Sequence, residues 1–458
     1  MSNVLLRPAA TIARAAGTLS RRFGRGGGTS LPGKVLLKLD PSALARLGAE
    51  LPGGVAMISG TNGKTTTARM AVACLTGNGL PVVTNHAGAN LLSGVATALL
   101  DRSKAATVGC FEVDEFALPG VTRAISPRVL CLTNLFRDQL DRFGELEEIA
   151  DRWQDMLDLV GPTTVLALNV DDPLIASLRF DKSRVIGFGI NDAMVGLGSL
   201  PHAADSVRCR NCATALHYDV VLLGHLGHWR CPACGLSRPT PTVGVEHVQL
   251  RGVDGSTFDL FSGAERIQVQ LNLPGLHNVA NAAAAAALGV GMGLSLLQLG
   301  DALSKTQAAF GRSERICVAG REAVIFLAKN PTGMNENLRT VALEQGPIHL
   351  VIALEDRIAD GRDTSWIWDV DVDELLPRLA SLTLSGSRAH DLALRVRYTG
   401  LAVTNLAVET DPAAALDRAL EQTGLGGRLY ILPTYTAMLD LRAVLDQRGA
   451  TTAFWSGA

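Results

Sequence analysis

From Leu51 onward, short continuous apolar runs alternate with longer stretches in which apolar residues recur every three or four positions. The runs "VAMIS", "PVVTN", "AATVGCFEVDE", "RVLCLTNL", "TTVLALNVDD" and "SRVIGFGI" predict buried strands. The intervening "KTTTARMAVACLTGNG", "ANLLSGVATALLD" and "ELEEIADRWQDMLDLV" have helical spacing. This alternation predicts an α/β architecture with a parallel, doubly wound sheet that binds ligands at the carboxyl ends of its strands. The pattern breaks at about 205–240, resumes as a small antiparallel section in "VQLRGVDGSTFDLFSGAERIQVQLNLPG", and passes into a helical block, "HNVANAAAAAALGVGMGL". From Arg321 it restarts with "AVIFLAK", "IHLVIALED", "LASLTLSG", "LAVTNLAV" and "GRLYILPT", each separated by a helical pattern, which predicts a second, smaller α/β domain. The expected division is a basic N-terminal segment at 1–45, an ATP-binding domain at 46–315 and a C-terminal α/β domain at 316–458.

At 458 residues, with 47% hydrophobic and 19% charged residues, the chain can fill two or three cores. A net charge of −2 gives no general argument for nucleic acid. No run of 18 or more uninterrupted apolar residues is present, so no membrane span is expected. The exception to the even charge is "LLRPAATIARAAGTLSRRFGRGGG", where Arg7, Arg14, Arg21, Arg22 and Arg25 precede any acid. It lacks a secretory apolar core with a cleavage site. The spacing of Leu5, Ile12, Ala15 and Leu19 suits a basic amphipathic helix able to touch an anionic membrane, and a solvated terminus fits equally well.

"MISGTNGKTTTARM" at 57–70 is a phosphate loop of shortened form. The usual G-x-x-x-x-G-K-[ST] spacing would place its first glycine at Ile58. Gly60 and Gly63 still allow a sharp turn and close approach to an anion, and the following helix start aims N–H groups at that point. Lys64 supplies a charge for terminal phosphates, and the Thr65 hydroxyl suits Mg²⁺. Glu112, Asp114 and Glu115 close another predicted strand, where a carboxylate opposite the loop is a natural Mg²⁺ ligand. Asn134, Asp138 and Asp141, and also Asp171 and Asp172, follow further strands, where turn or helix capping is the plain alternative. His277, Asn278 and Asn281 open a helix, where amides can read a purine edge or simply cap.

Four cysteines, Cys74, Cys110, Cys131 and Cys317, sit in apolar contexts and read as buried thiols. The other four form "CRNC" at 209–212 and "CPAC" at 231–234, with 18 residues between the pairs. Cys209, Cys212, Cys231 and Cys234 thus have the spacing of a closed, structural Zn²⁺ ribbon. Free thiols elsewhere point to a reducing, cytoplasmic setting. His217, His225 and His228 are expected to be bystanders.

"GTNGKTT", "EVDE", "TNLFRDQLDRFGE", "NVDDP", "LPGLHNVANAAAA" and "GRSER" resemble, in this order, the motifs of the Mur ligase family, which includes folylpolyglutamate synthetase. The four-cysteine insertion, "LAKNPTGMNENL" and "DGRDTSWIWDVD" resemble one branch, the synthetase subunits of lipid II isoglutaminyl synthase, over nearly the whole chain from Leu31. The resemblance implies a P-loop central domain with an inserted ribbon and a smaller Rossmann-like C-terminal domain. It further implies that ATP phosphorylates the α-carboxyl of D-glutamate in the lipid II stem peptide and that ammonia attacks the acyl phosphate. Gly60, Asn62, Gly63, Lys64, Thr65 and Thr66 would hold ATP, Asn278 and Asn281 its adenine side, and Arg312 the phosphates. Thr65 and Glu112 would hold Mg²⁺. Lys182 is the lysine in the interval where many Mur ligases carry a carbamylated one.

None of the four unpaired cysteines has the exposed tight-turn setting of a glutaminase nucleophile, so ammonia from glutamine must come from elsewhere. The resemblance implies a glutaminase subunit of the GatD type, whose Cys–His pair Asp363 would complete. From the residues alone, Asp363 reads as the cap of a turn after Gly361. Trp366 and Trp368 beside it are core residues or interface anchors. One competing reading is a stand-alone ligase that joins an amino acid to a carboxylate. Another is a ribbon that binds nucleic acid, which is disfavoured because Arg210 and Arg230 are its only fixed cations.

Overall fold

The computed structural model describes residues 6–22, 30–85, 88–137, 146–307 and 312–450. The strands are β1 (Val55–Ser59), β2 (Val82–Val83), β3 (Val108–Glu112), β4 (Val129–Leu132), β5 (Val165–Asn169), β6 (Val185–Ile190), β7 (His217–Leu223), β8 (Leu226–Arg230) and β9 (Val243–Leu250). They continue with β10 (Ser256–Ser262), β11 (Glu265–Leu271), β12 (Arg312–Val318), β13 (Arg321–Phe326), β14 (Ile348–Ala353), β15 (Leu379–Ser385), β16 (Leu406–Glu409) and β17 (Arg428–Pro433).

A nine-stranded sheet runs in the order β11-β10-β9-β6-β5-β4-β1-β3-β2. Its apolar strands are covered on both faces, as the alternation along β1 shows: Ala56 and Ile58 join one core, Val55 and Met57 the other. The helices Lys64–Gly77 and Leu276–Gly291 cover the first face, the latter with Ala282 to Ala287 at most 1% exposed. Small side chains let that helix lie close to the strands beneath it. The antiparallel section β9–β11 is not a separate unit, because β9 pairs in parallel with β6 and extends the same sheet.

The basic segment packs on this domain. Its helix Leu6–Arg22 buries Leu6, Ala9, Ala10 and Ala13 in the second core, while Arg14 Nη2 donates to Leu100 O at 2.7 Å. Ile12, Ala15 and Leu19 face outward, and Leu5 lies outside the described residues. No helix among the described residues is long and apolar enough to cross a membrane.

The C-terminal sheet runs β12-β13-β17-β14-β15-β16, parallel except for the β12–β13 hairpin. Between β14 and β15 a helix was expected; only the 3₁₀ turns Ser365–Asp369 and Leu376–Arg378 form there. Closely spaced aspartates and Pro377 favour turns over a continuous helix. Cys317 is likewise not a core thiol: β12 is an edge strand, so Ile316 and Val318 point inward and Cys317 is exposed. Burial does push the Cys74 and Cys110 thiols up to about 12, in keeping with inert core positions.

Contacts tie the two sheets together around one helix, Pro331–Ala342. At its start Asn330 Nδ2 donates to Asn62 Oδ1 at 2.8 Å. Further along, Arg339 donates to Leu222 O at 2.8 Å and to Val195 O. Arg137 lies 3.1 Å from Asp369, and His202 bonds Asp371 at 2.6 Å.

Candidate active site

β1 delivers the chain to Gly60 at the sheet's carboxyl edge. Gly60 has φ 143°, and a Cβ there would stand 2.1 Å from Thr133 Oγ1. Gly63 has φ 81°, with Asn281 Oδ1 only 2.0 Å from the place of its missing Cβ. The shortened loop is braced by the segment after β4: Thr61 N donates to Asn134 O and Asn62 N to Asn134 Oδ1, each at 2.8 Å. The helix Lys64–Gly77 then begins, so its first N–H groups and positive dipole end face the cleft above the sheet.

Lys64 is 8% exposed, and its Nζ reaches Thr61 O at 3.1 Å and Glu115 Oε2 at 2.9 Å. The three carboxylates at and just after the end of β3 therefore separate by role. Glu115 faces Lys64, and Asp114 Oδ1 accepts from Phe116 N at 3.0 Å. Burial, and then the neighbouring Glu115, hold the Asp114 carboxyl above its ordinary range. Glu112 pairs with Ile58 across the sheet, is 7% exposed, and is held through its backbone by Asn85 at 2.9 and 3.0 Å. With Thr65 it lines the same cleft, and a hydroxyl and a carboxylate beside a phosphate loop are a donor set that fits Mg²⁺.

The cleft has a volume of about 1080 Å³ and is shared by both sheets. Thr66, Asn278 and Asn281 line it from the first domain. Asn281 Oδ1 accepts from Thr67 Oγ1, and its Nδ2 donates to Asn278 Oδ1, both at 3.2 Å; Asn278 Nδ2 donates to Pro274 O at 2.7 Å. The pair is thus fastened against the phosphate-loop helix. Arg312 opens β12 opposite Phe326, but its side chain, like that of Lys182, lies outside the described residues, as do Asp138 and Asp141. Asp171 and Asp172 are structural. Asp171 bonds Arg238 at 2.7 Å, and Asp172 caps the turn Pro173–Ala176 while accepting from Leu135 N. The second domain contributes Lys329, Asn330 and Glu336 to the cleft wall. No sequence motif singled out Glu336; the available signal was a lone acid amid amides in "NPTGMNENL".

The four ribbon cysteines bring their sulfurs within 4.8 Å of one another, with Cys209–Cys234 and Cys212–Cys231 both at 3.5 Å. A tetrahedral Zn²⁺ with bonds of ~2.3 Å needs sulfurs about 3.8 Å apart, so the cluster could hold such an ion. The two knuckles repeat one geometry: Ala213 and Gly235 both have positive φ, and their N–H groups donate to Cys209 O and Cys231 O. The three histidines stand apart from the cluster. His225 is buried 3.7 Å from Asp172, His228 bonds Ile190 O, and His217 lies near Asp219.

Asp363 is exposed on the segment after β14, outside the cleft lining, four residues beyond Ala359, which does line it. Its Oδ1 accepts from Ser365 N at 2.8 Å, and Ser365, through its hydroxyl and then its N–H, holds the carboxyl below the ordinary range. Trp366 packs on the C-terminal core, whereas Trp368 is 43% exposed and meets Tyr398 edge-on at 5.4 Å.

The Mur ligase middle domain matches residues 58–224, and the MurT ligase C-terminal domain matches residues 327–438. The lipid II isoglutaminyl synthase (glutamine-hydrolyzing) subunit MurT of Staphylococcus aureus strain N315 is 31% identical over 438 residues, covering 95% of this chain and 97% of that protein. The subunit of the same name from Streptococcus pneumoniae R6 is 32% identical over 93% of this chain and 94% of its own. Among solved structures, a pseudomurein peptide ligase type C from Methanothermus fervidus superposes with a TM-score of 0.68 at 24% identity, over 86% of this chain and 78% of that one. MurF from Acinetobacter baumannii gives a TM-score of 0.65 at 22% identity, over 91% and 80%. At such identities the structural likeness establishes the fold.

Proposed function

We propose, on the premise that this chain belongs to the MurT family of lipid II isoglutaminyl synthase subunits, that it amidates lipid II as an ATP-dependent carbon–nitrogen ligase. The observation that carries the reading is a phosphate loop opening into a cleft whose other wall is the C-terminal domain. The carboxylate acted on is the α-carboxyl of D-glutamate in the stem peptide. It becomes an acyl phosphate, and ammonia displaces phosphate to leave D-isoglutamine.

A carboxylate is a poor electrophile, and phosphorylation cures this only if the charge on the transferred group is neutralised. On this reading Lys64 and the N–H groups of Gly63, Thr65 and Thr66 supply that neutralisation. Gly60 and Asn62 shape the loop, Asn278 and Asn281 take the nucleoside side, and Arg312 adds charge from β12. Thr65 and Glu112 would hold Mg²⁺, which would supply further neutralising charge at the phosphates. Zn²⁺ in the cysteine cluster would serve structure, since four thiolates leave no open position.

A subunit of a glutamine-hydrolysing enzyme needs a glutaminase. The partner here is of the GatD type, and Asp363 completes its Cys–His pair. An exposed carboxylate, ionised and fixed by Ser365, suits orienting an imidazole across an interface. The complex works at the cytoplasmic membrane face, where its lipid-linked substrate lies, and it uses no nucleic acid.

The test is amide formation on lipid II, followed by mass spectrometry with ATP and either glutamine or ammonium chloride, using the chain alone and with the glutaminase. Asp363→Asn is expected to lower glutamine-driven amidation by about 10²–10⁴-fold and leave ammonium-driven amidation within about twofold. Unchanged glutamine use would make Asp363 a turn residue only. Amino-acid addition by the single chain, with no amidation under any condition, would favour the stand-alone ligase.

A further inference from the structure

Glu336 is a buried acid with an acceptor to spare. It lies on the Pro331–Ala342 helix, is 5% exposed, and lines the shared cleft. Its Oε2 accepts no hydrogen bond among the described residues, and Arg339 Nη1 stands 4.0 Å away. That guanidinium is turned to the carbonyls of Leu222 and Val195. The adjacent Asn337 spends its Nδ2 on Phe326 O and Leu327 O at 3.3 Å, and Thr340 Oγ1 donates to the Glu336 backbone carbonyl. Leaving a buried carboxylate oxygen unpaired is costly, and a purely structural position would be served better by glutamine or an apolar residue.

Its position gives the acid a use. The helix that carries it begins at Asn330, which bonds Asn62 of the phosphate loop, and six residues of helix place Glu336 about 9 Å further along the axis. Glu115 faces Lys64, and Asp114 accepts from Phe116 N. Among the described residues, Glu336 is the acid on the C-terminal domain's wall of the cleft.

We propose that Glu336 is a catalytic base of the amide-forming step, taking the proton that the attacking ammonia must lose. This rests on the amidating function above. The ammonia nitrogen bonds to the acyl carbon, the carbon–oxygen bond to phosphate breaks, and phosphate leaves with the electron pair. The surplus proton on nitrogen passes to Oε2 of Glu336 and from there to phosphate or solvent. Burial pushes the Glu336 carboxyl up to about 7, against a smaller opposing pull from Arg339, so it can both take and release a proton near neutrality.

The test compares two nucleophiles with the full chain, ATP and lipid II. Both nucleophiles shed one proton from nitrogen after attack, but hydroxylamine is the weaker base, so its adduct, which ends as a hydroxamate, is the more acidic and gives its proton to solvent without help, whereas the ammonia adduct needs a base. Glu336→Gln is expected to lower ammonium-driven amidation by about 10²–10³-fold and leave hydroxamate formation within about threefold, with Glu336→Asp recovering part of the amidation. Parallel loss of both products in Glu336→Gln, or amidation at the wild-type rate, overturns the role. A wild-type chain forming neither product overturns the amidating function itself, and the base with it.

Discussion

Lys64→Met is expected to lower ATP-dependent amidation at least about 10²–10³-fold with either glutamine or ammonium. The lysine lies at the start of the Lys64–Gly77 helix, so its charge adds to the helix's N–H groups at one point. Methionine keeps the length and apolar stem but removes the cation at the loop's turn, while Arg69, further along the helix, stays in the cleft lining. ADP release and amide formation should fall together, because the phosphoryl step precedes the attack. The substitution also strips a buried partner from Glu115, which sits 2.9 Å away with a side chain only 10% exposed. Some loss of Tm should follow, since removing one member of a buried pair leaves the other uncompensated. Adding Glu115→Gln should restore much of the Tm but not the activity, which separates the two roles. A Lys64→Met chain with near-normal ADP release would remove the phosphate loop from the mechanism.

The second large effect is expected from the cysteine cluster. Cys209→Ser with Cys231→Ser removes one sulfur from each knuckle, both from buried positions. Structural Zn²⁺ contributes ~10–16 kcal/mol of apparent binding energy in small zinc modules, so the ribbon around β7 and β8 should unfold locally when the ion is lost. The damage should then spread to the other domain, because Arg339 is anchored on Leu222 O at the end of β7 and His202 on Asp371. Metal content should fall to zero, and hydrogen exchange should speed up in both 217–230 and 331–342. Amidation should drop roughly tenfold or more as the C-terminal wall of the cleft loses its brace. Exchange confined to 217–230, with unchanged activity, would show that the ribbon braces nothing.

How much of this was legible beforehand depended on whether a signal was local. The phosphate loop could be read because Gly60, Gly63, Lys64 and Thr65 fall within one six-residue stretch, and the metal knuckles because C-x₂-C geometry is fixed by a few bonds. The parallel sheet could be read because strands buried on both faces must be apolar throughout. Other features depended on neighbours distant in sequence. The helix Leu6–Arg22 has an amphipathic pattern whether it faces lipid or protein, and only the presence of Leu31–Leu39 and Leu92–Asp101 decides which side Ala9, Ala10 and Ala13 meet. Cys317 was misread because an apolar context does not tell a central strand from an edge. Which of Glu112, Asp114 and Glu115 faces Lys64 depends on how the chain turns after β3. Glu336 carries no local signal of its own, because only the packing of its helix against the first domain brings it to the cleft.

Gly63 and Asn281 have a consequence for how this chain can change over generations. The amide oxygen of Asn281 occupies the space in which any side chain at position 63 would begin, and the backbone there has φ 81°. A single substitution at 63 meets both obstacles. A shorter residue at 281 removes the first but leaves the second and gives up the bond to Thr67. The two codons are therefore locked to each other. A saturation library would find neither position free alone and almost no rescue from the double change, so drift around the active site has to run through other positions.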